Sequence, residues 1–364
     1  MASREVILEL KYDNEDISRD VAPFVENFRY VDRTLPDKMD ELSVTFQDVD
    51  ELWRTGWWPD RGAQFAAKIK AFDWFNPGDK FERDCGAFEI DDLTSSSPPS
   101  IFQVSAISVG ITHPIRRQQN TKGWENLSIK DIAEEIASKH GFELKWFSEY
   151  NPTMDRWEQR SQSDLSLLMD ICSYAGLMIK ITDKWIIIFR GEESDDETPE
   201  KVIFRSDDTV QSWEFNANSS DIYAACEVKY YDPKKKDMVE YIFYSEEVKG
   251  NKNRIIKDMH GHDREERDIP DPEVGQVLKI NQIVKDIGEA EEVAKAALRE
   301  KNMRQVRGTL TMMGRPDLYS GMTLIVSGFG RWDNVIWNLE EITHDYSKTG
   351  GYNSTLSLRG ILGF

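Results

Sequence analysis

Two distant stretches of this sequence echo one another, and a repeat leaves few folds open. Pro59-Asp60, Gly62 and Phe65 precede Gly86-Ala87-Phe88-Glu89-Ile90-Asp91-Asp92-Leu93 and then Ile111-Thr112-His113. Near the other end, Pro316-Asp317, Gly321 and Leu324 precede Gly330, Val335-Ile336-Trp337-Asn338-Leu339 and Ile342-Thr343-His344. Each copy runs from a Pro-Asp turn through a Gly-led strand to Ile-Thr-His, which predicts two similar small β-barrels in one chain. Equivalent barrels would match Phe88 and Ile90 with Ile336 and either Trp337 or Asn338. Phe88, Ile90 and Ile336 are expected to face inward, because a slip of one residue turns every side chain to the opposite face. The two barrels are expected in separate sheets, with the helices outside both.

The rest of the chain reads as β with α/β material inserted. Val6, Leu8 and Leu10 alternate, as do Leu42, Val44 and Phe46, so these are strands with one buried face. Turns fall at Asn76-Pro77-Gly78-Asp79 and Ser95-Ser96-Ser97-Pro98-Pro99. Residues 1–115 are therefore expected to form the first barrel, completed by strands near 200–220. At Trp124 the period changes. Ser128 and Asp131 read as a capping box, Ile129, Ile132, Ala133, Ile136 and Ala137 share one helix face, and Gly141 terminates it. A second helix has Ser163 as N-cap, Leu165, Leu168, Met169 and Cys172 on one face, and Gly176 behind it. A hairpin of 177–181 and 185–189 follows, so 116–199 is an inserted α/β subdomain ending in the acidic linker 191–200. The second barrel is assigned to 220–250 and 306–364, with 251–305 an inserted arm and a helix over 289–303.

Composition narrows the function. Among 364 residues, 66 acidic against 46 basic side chains give a formal charge of −20, which disfavours gripping a phosphate backbone. No apolar run is long enough to span a membrane, and Arg4, Glu5, Glu9 and Lys11 interrupt any leader-like start. Cys85, Cys172 and Cys226 are odd in number and far apart, as in a chain folded in a reducing cytoplasm. His260-Gly261-His262-Asp263 lacks a third ligand at a recognisable spacing and reads as a solvated arm. His113 and His344 read as hydrogen-bonded structural residues, and His140 as a helix-end charge. The pairs Asp91-Asp92 and Glu340-Glu341 point to opposite faces of a strand, which is wrong for acid/base work, and Glu134-Glu135 is a further adjacent pair. Gly328-Phe329-Gly330 lacks the remainder of a nucleotide loop. Trp53, Trp57 and Trp58 are either buried in the barrel or at a subunit contact, or an exposed glycan platform. No catalytic, cofactor-binding or metal residue is assigned, and the chain is not expected to be an enzyme.

Four motifs in order carry a resemblance. Gly86-Ala87-Phe88-Glu89-Ile90-Asp91-Asp92-Leu93 with Pro98-Pro99, and Trp124 with Leu127-Ser128-Ile129, Ile132-Ala133 and His140-Gly141, are the first two. Gln162-Ser163-Asp164-Leu165 with Leu168 and Ala175-Gly176 is the third, with Leu168 where an aromatic is commoner. The last is Gly321-Met322, Gly328-Phe329-Gly330, Ile342-Thr343-His344, Gly350-Gly351-Tyr352 and Thr355-Leu356. Together they resemble the phage late control protein D and XkdQ-like family of baseplate hubs.

The resemblance implies two tube-type β-barrels with α/β insertions, arranged as a homotrimer in a contractile phage tail or tail-like injection particle. It implies a hub that adapts a sixfold tail tube to a threefold spike, with no catalysis and no cofactor. Expected partners are further copies of the chain, a spike protein, the tube or tube-initiator protein, and wedge or LysM-type baseplate proteins. The sequence ends at Phe364 without a spike segment, so the spike is expected to be a separate protein, unlike VgrG. Such a chain would be made in the bacterial cytoplasm and reside in the particle's baseplate. The acidic balance suits a lumen that repels DNA. The alternative is a hub-like protein that binds or cuts cell-wall glycan through Trp53–Trp58.

Overall fold

The computed structural model describes residues 4–34, 38–108, 113–190, 198–207, 209–218, 223–232, 237–244, 276–281, 284, 287–302 and 305–361. The arm expected ahead of the 289–303 helix lies outside the described residues through residue 275, with His260 and His262, as do Ile111, Thr112 and most of the acidic linker.

The first repeat contains β1 (Glu5–Tyr12), β2 (Glu15–Asp16), β3 (Val25–Arg33), β4 (Glu41–Gln47), β5 (Gln64–Phe72), β6 (Lys80–Ser96) and β7 (Ile101–Ile107). They bond side by side in the order β3-β4-β7-β6-β5-β1-β2. Alternation dictates which face is covered: β5 buries Phe65, Ala67, Ile69 and Ala71, and β7 buries Phe102, Val104 and Ala106. β6 serves two partners, β5 along its first half and β7 along its second. Phe88 and Ile90 both face the first core, each 2% exposed, as expected.

The first insertion contains β8 (Gln119–Ser128), α1 (Ile129–His140), β9 (Glu143–Phe147), β10 (Thr153–Ser163), α2 (Asp164–Tyr174), β11 (Leu177–Ile181) and β12 (Trp185–Arg190). The capping box of α1 is present: the Asp131 amide donates to Ser128 Oγ at 3.2 Å, and the Ser128 amide donates to the Asp131 carboxylate at 3.1 Å. The expected hairpin β11–β12 is extended by β9, which runs parallel to β12. Ile132 and Ile136 of α1 and Leu168 and Ile171 of α2 pack on Ile186 and Ile188, away from the cores of both repeats.

The remaining strands are β13 (Lys201–Phe204), β14 (Val210–Ala217), β15 (Tyr223–Asp232), β16 (Asp237–Tyr244), β17 (Gln276–Asn281), β18 (Val306–Met313), β19 (Thr323–Ser327), β20 (Ile336–Ser347) and β21 (Gly351–Ile361), with α3 (Ile287–Asn302) before β18. Two expected boundaries need correcting. The strands near 200–220 do not complete the first unit: β13 bonds to β19 and β14 to β18, because Phe215 packs on Phe329 and Trp337 of the second core. Nor do the described residues between 220 and 250 join the second unit. β15, β16 and β17 form their own sheet, where Cys226, Val228 and Tyr230 share a core with Val293, Ala294 and Leu298 of α3. This second insertion occupies the place of the short 34–40 connection in the first repeat.

The echo is a duplication kept strand for strand. In chain order β1, β3, β4, β5, β6 and β7 correspond to β13, β14, β18, β19, β20 and β21, and both sets have the same neighbours. Irregularities are kept too. The β3–β4 ladder skips Glu26 and β14–β18 skips Gln211, while β6–β7 skips Asp91 and β20–β21 skips Glu340. Such skips bend a strand and turn a flat sheet around a core. Gly62 (φ 85°) and Gly321 (φ 97°) open β5 and β19 in a conformation that glycine adopts without strain. The Gly62 amide donates to the Ile90 carbonyl at 2.9 Å, and that of Gly321 to Leu339 at 2.7 Å. One polarity differs: β1 is antiparallel to β5, whereas β13 is parallel to β19.

This register corrects the expected match by one residue. Phe88 corresponds to Trp337 and Ile90 to Leu339, and both second-repeat residues are fully buried while Ile336 is half-buried. The Ile-Thr-His endings are not equivalent either: His113 caps a short helix, and His344 sits within β20. The two repeats also do not occupy separate sheets. β20 bonds antiparallel to β3, so one 13-stranded sheet runs through both while wrapping two distinct cores. A strand edge left open would be a template for aggregation, and this joint covers one on each side.

Candidate functional site

The joint between the repeats is held by a buried charge cluster. Asp32 on β3 is 2% exposed. Arg83 of β6 and Lys180 of β11 both donate to its carboxylate, as do the Ser320 hydroxyl at 2.5 Å and the Ser320 amide at 3.0 Å. Lys180 also donates to Ser320 Oγ at 3.0 Å and lies 3.4 Å from Asp40. One carboxylate thus ties together the first repeat, the first insertion and the turn that opens β19. Four donors occupy its lone pairs, so Asp32 is a clamp and has no free capacity as a base. The cluster floors a cleft of about 1040 Å³ that Tyr30, Trp185 and Tyr319 also line. Sequence reading missed the cluster because its members are 32, 83, 180 and 320. The one local signal was Lys180 inside the otherwise apolar Met178-Ile179-Lys180-Ile181.

A second buried carboxylate organises the first insertion. Asp164, at the start of α2, accepts from Asn120 Nδ2 at 2.9 Å, Gln159 Nε2 at 2.8 Å and Lys139 Nζ at 2.7 Å. His140 Nε2 lies 2.8 Å from it, so this histidine does more than complement a helix end.

Burial alone would raise both carboxyls, but their partners dominate. Lys180 and Arg83 hold Asp32 down to about 2, and Lys139 with the neighbouring amides holds Asp164 lower still. Burial pushes Asp40 up, with Lys180 only partly offsetting it. A depressed carboxyl adds stability that is complete above its unfolded value, near 3.8 here, and is lost as pH falls through the folded one. Stability is therefore expected to hold between about pH 7 and 5, where protonation of Asp40 favours the fold. Below about pH 4 it should fall by on the order of 2 kcal/mol from Asp32 alone. Urea titrations at stepped pH check this, and a midpoint unchanged down to pH 3 would contradict it.

Other residues singled out from the sequence have structural duties. His344 Nδ1 is 2.8 Å from the Tyr352 hydroxyl, and its ring stacks on Tyr30 at 5.7 Å. Burial lowers this imidazole to about 3, so it is neutral near pH 7. The Ile-Thr-His and Gly-Gly-Tyr motifs thus supply the two halves of one hydrogen bond. Gly328-Phe329-Gly330 is a turn closed by Asp333, whose carboxylate accepts both the Gly328 and Phe329 amides. His113 accepts the Ile115 amide at 3.3 Å. Glu340 pairs with Arg359, Glu341 with Arg33, and Glu135 with Lys122, so these carboxylates are spent on cations. All three cysteines are buried, free thiols.

The tryptophan cluster divides. Trp53 is core, stacked on Phe46 at 3.9 Å. Trp57 and Trp58 are 39% and 54% exposed, beside a cavity of about 340 Å³. Among the described residues no group of three His, Cys, Asp or Glu side chains could hold a metal, and no helix is long and apolar enough to cross a membrane.

No family model matches the chain, and no curated protein matches it. Solved structures share its fold. A tail protein from Neisseria meningitidis MC58 superposes with a TM-score of 0.66 at 11% identity, covering 97% of this chain and 96% of that one. The 43 kDa tail protein of prophage MuSo2 from Shewanella oneidensis gives 0.65 at 11% identity, covering 97% and 98%. The E. coli c3393 protein, a component of the type VI secretion system, gives 0.54 at 10% identity, covering 100% and 79%.

Proposed function

We propose that this chain is a structural hub of a contractile phage-tail baseplate or tail-like injection particle. The observation that carries the reading is the duplication, whose strand order and register skips are kept in both repeats. Three chains with two repeats each supply six similar positions, which suits a sixfold tube. The same three chains carry each insertion three times, which suits a threefold spike. The work is geometric: Asp32 and the β3–β20 joint fix the angle between repeats, and a fixed angle lets identical chains close into a ring. The shared fold with tail proteins and a type VI secretion component supports this assignment, as do the four motifs in sequence.

Partners on this reading are further copies of the chain, a spike, the tube or its initiator, and wedge-type baseplate proteins. The protein is non-catalytic and belongs on the mature particle after synthesis in the bacterial cytoplasm. Light scattering of the purified chain, alone and with its spike, is expected to give a mass containing three copies. A stable 1:1 complex of monomers would refute the hub.

The exposed Trp57 and Trp58 support a second reading, in which the hub also holds cell-wall glycan. Retention on purified peptidoglycan that disappears in W57A/W58A would favour it, and loss of turbidity would add hydrolysis.

A further inference from the structure

The duplication makes one of its contacts only once. Within the chain, β3 of the first repeat lies along β20 of the second, with Tyr30 opposite His344 and Arg29 opposite Asp345. The strand equivalent to β3 is β14, and the strand equivalent to β20 is β6. β14 bonds to β18 on one side, and among the described residues no ladder takes the other, where Trp213 is 41% exposed. Among the described residues the second half of β6 bonds to β7 on one side only, and Asp92, Thr94, Ser95 and Ser96 are exposed. One chain therefore carries, among the described residues, two open strand edges at the positions that its own internal joint fills. They lie far apart along the sheet path, with β18, β21, β20, β3, β4 and β7 between β14 and β6.

We infer that β14 of one chain pairs antiparallel with the second half of β6 of another copy, repeating the β3–β20 joint between chains. The duplication fixes the register. Asp345 opposite Arg29 becomes Ser96 opposite Glu214, His344 opposite Tyr30 becomes Ser95 opposite Phe215, and Thr343 opposite Val31 becomes Thr94 opposite Asn216. None of these pairs sets like charges against each other, which would disfavour the ladder. The contact is head-to-tail, since each chain offers one edge of each kind, and such contacts propagate until a ring closes. Closure at three copies rests on the hub reading. The pairing itself rests on the duplication.

Cysteine crosslinking of the full chain tests it, because all three native thiols are buried. The S96C/E214C variant, treated with a short bismaleimide, is expected to run as a covalent trimer on a denaturing gel. R29C/D345C occupies the same register position inside the chain, where the ion pair spans 3.8 Å, and should link without a rise in mass. The displaced pair S96C/S212C should link much less. A trimer by light scattering that links only at the displaced pair, or at neither while the internal control links, overturns the pairing and leaves the hub standing. Covalent rings or ladders of another size keep the pairing and overturn the threefold hub. A chain that stays monomeric overturns both.

Discussion

Replacing Asp32 by Ala is expected to cost on the order of 3–5 kcal/mol, because it strands two cations in a nearly closed site. Lys180 and Arg83 have side chains only 15% and 18% exposed, and both direct charge at this carboxylate. Losing it also frees the Ser320 hydroxyl and amide that anchor the turn into β19. The effect should be spatially selective. Amide exchange in β11 and near Ser320 is expected to speed up more than in β8 or β10. An apolar pair, Asp32→Leu with Lys180→Met, should recover part of the loss, since replacing a buried ion pair is cheaper than halving it. Urea denaturation reads the magnitude, and a change below about 1 kcal/mol for D32A would mean that the cluster does not clamp the joint.

Trp337→Ala should be comparably severe, about 3–5 kcal/mol, through a large cavity in the second core. Trp337 is fully buried, with Phe215 tilted over it at 4.9 Å and Trp332 at 6.2 Å. Its indole nitrogen has no hydrogen-bond partner among the described residues, so Trp337→Phe removes an unsatisfied donor along with the volume and should cost clearly less. Ile336→Ala, on the half-buried face, is the control for parity. If I336A were the more damaging of the two alanine variants, the register linking Phe88 to Trp337 would be wrong.

Much of this fold was legible in the sequence for local reasons. Ser128, Asp131 and Gly141 mark the ends of α1 by chemistry that acts within a few residues, and the capping bonds are where that chemistry puts them. Alternation located β1 and β4 because burial on one face is a property of successive residues. The echo itself was visible because Gly62 and Gly321 must take a backbone conformation that few residues tolerate. The ladder skips at Asp91 and Glu340 were not visible. Those skips fall at equivalent positions in the two repeats and leave their match unchanged; the choice of Trp337 over Ile336 is fixed only by pairing, Phe88 with Phe65 and Trp337 with Leu324.

Sequence by itself located the capped helices, the alternating strands β1 and β4 and the existence of a duplication, since each is written in short-range spacing. Tertiary structure alone decided which repeat owns β13 and β14, where the second insertion begins, and that β3 bonds to β20. It also decided the clamp at Asp32, whose partners at 83, 180 and 320 come from three separate parts of the chain. Strand pairing is a contest among all available edges, and a buried charge is stable only where distant partners converge on it. Neither outcome is carried by neighbouring residues, so neither could be read before the chain was folded.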